Sequence, residues 1–151
     1  MTRRRTRTTD SKRYFDWLYH SRIDIASAAI LMENESCYLS AAFHCQQCVE
    51  KSLKAYILYK THRLLDGHNL TWLCKQAIAI DSSFTQWLDK SVRLNRLYIE
   101  TRYPPDNPLD IREEDIEQLY QMTREIFDFI AKQLGFKFAR YRKKPLSMRN
   151  V

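Results

Sequence analysis

Only two glycines and four prolines interrupt 151 residues. Strand-rich folds place turn residues at about every 8–12 positions. A chain this poor in breakers is instead expected to form a few long helices joined by short connections. The 44% hydrophobic content supplies enough apolar side chain for a packed core. One domain is the simplest arrangement at this length, since no second block of composition appears.

Apolar spacing locates five helices. The first is expected over about 11–32, with Ser11 as its cap and Tyr14, Leu18, Ile25, Ala28, Ala29 and Met32 along one stripe. ENES breaks that pattern, and Ser36 is expected to cap a second helix over 37–60, with Leu39, Ala42, Val49, Leu53 and Ile57 facing inward. THRLLDGHN reads as a loop, followed by a short third helix, LTWLCKQAIAI, ending near Asp81. A fourth over about 83–101 places Phe84, Trp87, Leu88, Leu94 and Tyr98 together and must stop before YPPDNP. Asp110 and Glu113 have capping-box spacing ahead of a fifth helix that carries Ile116, Leu119, Tyr120, Ile126, Phe127, Ile130 and Leu134. Gly135 then supplies a left-handed end. The fold class is all-α, an antiparallel bundle of four long helices plus one short one.

The charge is uneven. Of the net +7, residues 1–13 carry +5 and residues 132–151 carry +7, which leaves −5 for residues 14–131. The expected organisation is a basic N-terminal tail (1–10), a helical domain (11–135) and a basic C-terminal tail (136–151). Polyanions would meet such a chain at its ends, in a salt-dependent way. No run of about 18 apolar residues is present, and MTRRRTRTTD lacks the apolar stretch of a secretion signal. No membrane span is therefore expected, and the cytoplasm is the expected location. Cys37, Cys45, Cys48 and Cys74 all fall in helical patterns and are expected as reduced thiols.

Three places are candidates for chemistry. Cys45 and Cys48 have CxxC spacing beside His44, but no second Cys or His pair stands at matching spacing. Buried packing, with no metal, is the expectation there. His68, just ahead of the third helix, is either a turn residue or a general base. Gln47, Glu50, Lys51 and Lys54 recur at spacings of three and four on one side of helix two, as a solvated face or a site. Arg96 and Arg102, with Tyr103 before Pro104 and Pro105, form a second polar concentration. An arginine at a proline-stiffened helix exit suits a phosphate, or simply complements the helix dipole.

SAAFHCQQCVEKSLKAYIL in helix two, GHNLTWL opening helix three and LYIETRYPPD closing helix four together resemble the HEPN domain, an all-helical module, over about Trp17 to Leu134. The matching positions are the Gln46-Gln47 pair, Glu50-Lys51 with Lys54 and Ala55, His68, and Arg102-Tyr103-Pro104. The resemblance implies a bundle of four main helices and a short one, a symmetric homodimer with a polar joint cleft, and a small nucleotidyltransferase partner of the MNT type in a toxin–antitoxin-like pair. Many relatives are metal-independent ribonucleases that use an arginine, four to six intervening residues and a histidine. Here the positions counted from Arg102 hold Asn107, Pro108 and Leu109, and those counted from Arg96 hold Thr101, Arg102 and Tyr103. The histidine is missing, and arginine does not shuttle protons.

The expected function is therefore binding of nucleotide or RNA phosphate in a cleft, alongside the nucleotidyltransferase and without a cofactor. Lys51, Lys54 and Arg102 would neutralise phosphate, Gln47 would bond base or sugar, and Tyr103 would stack or position the turn. No catalytic residue is assigned. The rival readings are a ribonuclease toxin using a displaced histidine (His44, His62 or His68) and a dimeric interaction module without ligand.

Overall fold

Helix α2, Tyr38–Thr61, is the shaft around which the other helices pack, touching α1 (Tyr14–Leu31), α3 (Leu70–Ile80), α4 (Leu88–Arg102) and α5 (Glu113–Gln133). The computed structural model describes residues 10–102, 104 and 110–136, with the side chains of 97–102 outside that description. Of the two expected tails, only Asp10 and Phe136 fall within it. Among the described residues all regular structure is helical, as the shortage of breakers dictates.

Because α2 is surrounded, residues 45–58 are buried almost without interruption, with Gln47 and Lys51 the half-buried exceptions. The core stripe at its start runs through Tyr38, Ala41, Ala42 and Cys45. That rotation leaves Leu39 outside at 43% exposure, against the expectation that it faces inward. On α1 the expected Leu18, Ile25 and Ala28 are buried, joined by two polar residues, Ser21 and Asp24. On α5 Ile116, Leu119, Ile126, Phe127, Ile130 and Leu134 all reach the core.

The ends of the helices refine the expected caps. Ser11 does not cap α1, which begins after Arg13; its hydroxyl accepts from the Arg13 N–H (3.1 Å) and its carbonyl from Trp17 Nε1 (2.7 Å). Asn34, not Ser36, does the capping before α2: its Oδ1 accepts from Ser36 N (3.0 Å) and opens a 3₁₀ turn over Glu35–Cys37. The fourth helix starts as 3₁₀ over Ser82–Trp87, where three residues per turn set Phe84 and Trp87 on the same buried side. At α5 the cap position falls on Arg112, two residues beyond Asp110, and only the backbone half of a capping box is made: Arg112 N donates to Asp115 Oδ2 (3.0 Å). Gly135 has φ +60°, with Gly135 N bonded to Lys132 O and Phe136 N to Ala131 O, the paired bonds of a Schellman end.

At α3 the cap carries a further load. Asn69 Oδ1 accepts from Trp72 N (2.9 Å), while Leu70 N donates across to Asn95 Oδ1 of α4 (2.8 Å). His68 is the residue directly before this doubly tied helix start. Asn69→Ala is expected to cost about 1 kcal/mol, read as a lower urea midpoint at unchanged slope.

Candidate functional site

Two buried carboxylates organise the polar side of α2. Glu50, 4% exposed, has Oε1 bonded to Lys54 Nζ (3.0 Å) and His68 Nδ1 (2.8 Å), and Oε2 bonded to Gln46 Nε2 (3.3 Å) and Gln47 Nε2 (3.2 Å). Asp24 of α1 has Oδ2 on Lys51 Nζ (2.6 Å) and Oδ1 on His44 Nδ1 (2.9 Å). A carboxylate only accepts, so both histidines carry their proton on Nδ1. Gln46, fully buried, accepts from Gln47 Nε2 at 2.7 Å, which joins it to the Glu50 cluster. The aromatic face of Trp17 lies 5.5 Å from the Lys54 ammonium.

The stripe is therefore not a solvated face. Lys54 is only 5% exposed, and a charge so placed is tolerable because it is paired and hydrogen-bonded. Periodicity marks a polar side but not what covers it; here the covering is α1 and the segment ahead of α3.

A cavity of about 630 Å³ opens beside this cluster, lined by Gln47, Glu50, Lys51, Lys54 and His68, with Trp17, Asp10, Asp66, Leu64 and Leu65 around them. A smaller one of about 320 Å³ adjoins it, sharing Asp10, Trp17 and Lys51. Four of the expected site residues thus come together. Arg96 stands exposed on α4 and does not line either cavity. Tyr103 lies outside the described residues, as does the Arg102 side chain at the end of α4.

Asp24 escaped the sequence reading, and His44 entered it only beside the CxxC pair and as a displaced-histidine candidate, although both carried a signal for this cluster. Asp24 shares the Ser21, Ile25, Ala28 face of α1, and an acid on a core stripe demands a cation. His44 extends the 47, 51, 54 stripe by one turn. His68 is bonded through Nδ1 to Glu50 (2.8 Å), with its own side chain 57% exposed.

Cys45 and Cys48 are fully buried, as packing residues should be. Burial pushes the Cys45 thiol up to about 11, against a bond with Thr123, and drives Cys48 well above its ordinary range. Among the described residues no group of three or more His, Cys, Asp and Glu side chains is arranged to hold a metal ion. In a thiol-labelling experiment at pH 8, Cys37 alone is expected to react quickly, with Cys45, Cys48 and Cys74 released only by denaturant.

Compared with known proteins, the chain matches the HEPN domain family over residues 14–134. Among solved structures it is similar to the crystal structure of an archaeal HEPN homologue, with TM-score 0.66 and 22% sequence identity, over 82% of this chain and 99% of that one. No curated protein matches. Among the described residues no helix is long and apolar enough to cross a membrane.

Proposed function

The chain belongs to the HEPN domain family, and on that premise we propose that it binds the phosphate of a nucleotide or RNA in the cavity beside α2. In this reading it acts in the cytoplasm as a homodimer, with an MNT-type nucleotidyltransferase partner in a toxin–antitoxin-like pair. The observation that carries the proposal is the buried Glu50–Lys54 ion pair, with Lys51, Gln47 and His68 beside it, at an open cavity. A desolvated ion pair contributes little net stability to a bundle of this size. Its retention beside a cavity of about 630 Å³ points to ligand chemistry. Lys51 and Lys54 supply charge, Gln47 hydrogen-bonds base or sugar, and Arg102 with Tyr103 completes the phosphate grip from the end of α4. Arg96 is a peripheral cation in this scheme.

Titration calorimetry with ATP, GTP and a short RNA tests the assignment. Binding weakened at least tenfold by Arg102→Ala and by Lys51→Gln supports it, and no binding at millimolar ligand overturns it. Co-purification of a nucleotidyltransferase from native lysate tests the partner, and a monomer by light scattering removes the homodimer.

One observation favours a second reading, a ribonuclease with a displaced histidine. His68 is held through Nδ1 by a buried carboxylate and presents a half-exposed ring at the cavity, as a general base requires. RNA loss on expression that His68→Asn abolishes would favour the enzyme. Intact RNA with ligand binding retained would favour the receptor.

A further inference from the structure

Lys51 aside, the lining of the smaller cavity has no part in the phosphate grip. That cavity, about 320 Å³, is bounded by Asp10, Ser11, Asp16, Trp17, His20 and Lys51. Asp10, Trp17 and Lys51 also line the larger cavity, so the two spaces meet at these three residues. Ordinary ligand sites run from about 300 to 1,000 Å³. The smaller cavity stands at the low end of that range, which suits one part of a ligand whose remainder fills the larger space.

Its indole wall is restrained. Trp17 Nε1 donates to Ser11 O (2.7 Å), and the Lys54 ammonium stands 5.5 Å from the ring centroid. Lys54 lines the larger cavity and not the smaller, so the indole stands where one space passes into the other. A ring already held in place stacks on a base without the ordering cost of a free side chain. The polar groups beside it mostly accept. Ser11 Oγ is engaged in both directions, donating to Asp16 Oδ2 (2.6 Å) and accepting from Arg13 N (3.1 Å). Arg13 Nε also reaches Asp16 Oδ2 (2.9 Å), so both of these partners use Oδ2 and not Oδ1. Asp10 brings a second carboxylate, and a carboxylate only accepts. Bases differ in what they offer such a wall. Guanine presents two adjacent donors, N1–H and N2–H, whereas adenine and cytosine set one amino group beside an unprotonated ring nitrogen and uracil flanks a single N–H with two carbonyls. An acceptor turned toward a carboxylate is left without a partner, so the three other bases fit less well.

We infer that the smaller cavity is a guanine subsite: the base stacks on Trp17, its N1–H and N2–H groups donate to Asp10 and Asp16, and Lys51 stands at the junction with the phosphate in the larger cavity. The assignment rests on the phosphate-binding reading above and adds to it the identity of the base. Guanine comes either from a free nucleotide or from a residue of RNA, and its recognition by these groups is the same in both.

The test is calorimetry of the full chain with GMP, AMP, CMP and UMP, and with the two parts of the first, guanosine and ribose 5-phosphate. GMP is expected to bind about tenfold tighter than each of the other nucleotides and about tenfold tighter than ribose 5-phosphate. Trp17→Ala should weaken GMP about tenfold more than it weakens ribose 5-phosphate, and Trp17→Phe, which keeps a stacking ring, should restore most of that difference. Asp10→Asn combined with Asp16→Asn should bring GMP to the level of AMP; a loss shared equally by all four nucleotides would overturn the carboxylate assignment. The tighter of GMP and the diribonucleotide pGpU names the source of the base. Equal affinity for the four nucleotides overturns the choice of guanine. Ribose 5-phosphate binding as tightly as GMP overturns the base subsite and leaves phosphate binding standing, whereas guanosine binding as tightly as GMP overturns the phosphate reading and leaves the subsite. No binding of any ligand at millimolar concentration overturns both. The nucleotide series on the unaltered chain decides the matter even if a variant fails to fold.

Discussion

Glu50→Ala is expected to destabilise the folded chain by about 3–5 kcal/mol, the cost of breaking a buried ion pair from one side. The substitution strands more than one partner. Lys54, 5% exposed, loses its only carboxylate contact among the described groups. Gln46 and Gln47 lose an acceptor, and His68 loses the bond that orients it. Lys54→Met, which leaves the Glu50 charge buried, should cost a similar amount. The double variant Glu50→Gln with Lys54→Met should recover most of the loss, since apolar and neutral groups of like volume replace a buried pair at little cost. Urea unfolding followed by far-UV circular dichroism measures all three. A loss under about 0.5 kcal/mol for Glu50→Ala would mean that water reaches the cluster, as it does for ordinary surface substitutions.

Phe84→Ala carries the second large effect, about 3–5 kcal/mol. The ring is fully buried where three elements meet: its centroid lies 4.4 Å from that of Tyr56 on α2 and 5.2 Å from Phe129 on α5. Trp87 continues the cluster, 5.3 Å from Phe129. Truncation leaves a void that the tilted and edge-on rings around it fill poorly, in addition to the lost aromatic contacts of roughly 0.5–1.5 kcal/mol each. Phe84→Leu, which keeps most of the volume, should cost under about 1.5 kcal/mol. Equal losses for the two variants would show that the site relaxes around the missing ring.

Spacing alone was enough to place all five helices, because apolar residues recur at three and four and the breakers fall between them. It could not say which way a helix entered the bundle. Leu39 fits the α2 stripe by count yet lies outside it, because the first turn buries Tyr38 and Ala41 instead. Local caps were misjudged where two candidates stood close together, as with Ser36 and Asn34, since the choice depends on backbone angles that the 3₁₀ turn sets. The candidate site was half legible. Gln47, Glu50, Lys51 and Lys54 declare themselves by their shared side, but their partner Asp24 lies 27 residues from Lys51, and only packing of α1 on α2 brings the two together.

Placing the cavity-lining residues Gln47, Glu50, Lys51 and Lys54 on the most enclosed helix has a kinetic consequence. Amides in such a helix exchange with solvent only when the whole bundle opens, so α2 belongs to the last region to give up its protons to deuterium. A ligand held there draws on global rather than local stability, and its occupancy should slow exchange across every helix rather than along one loop.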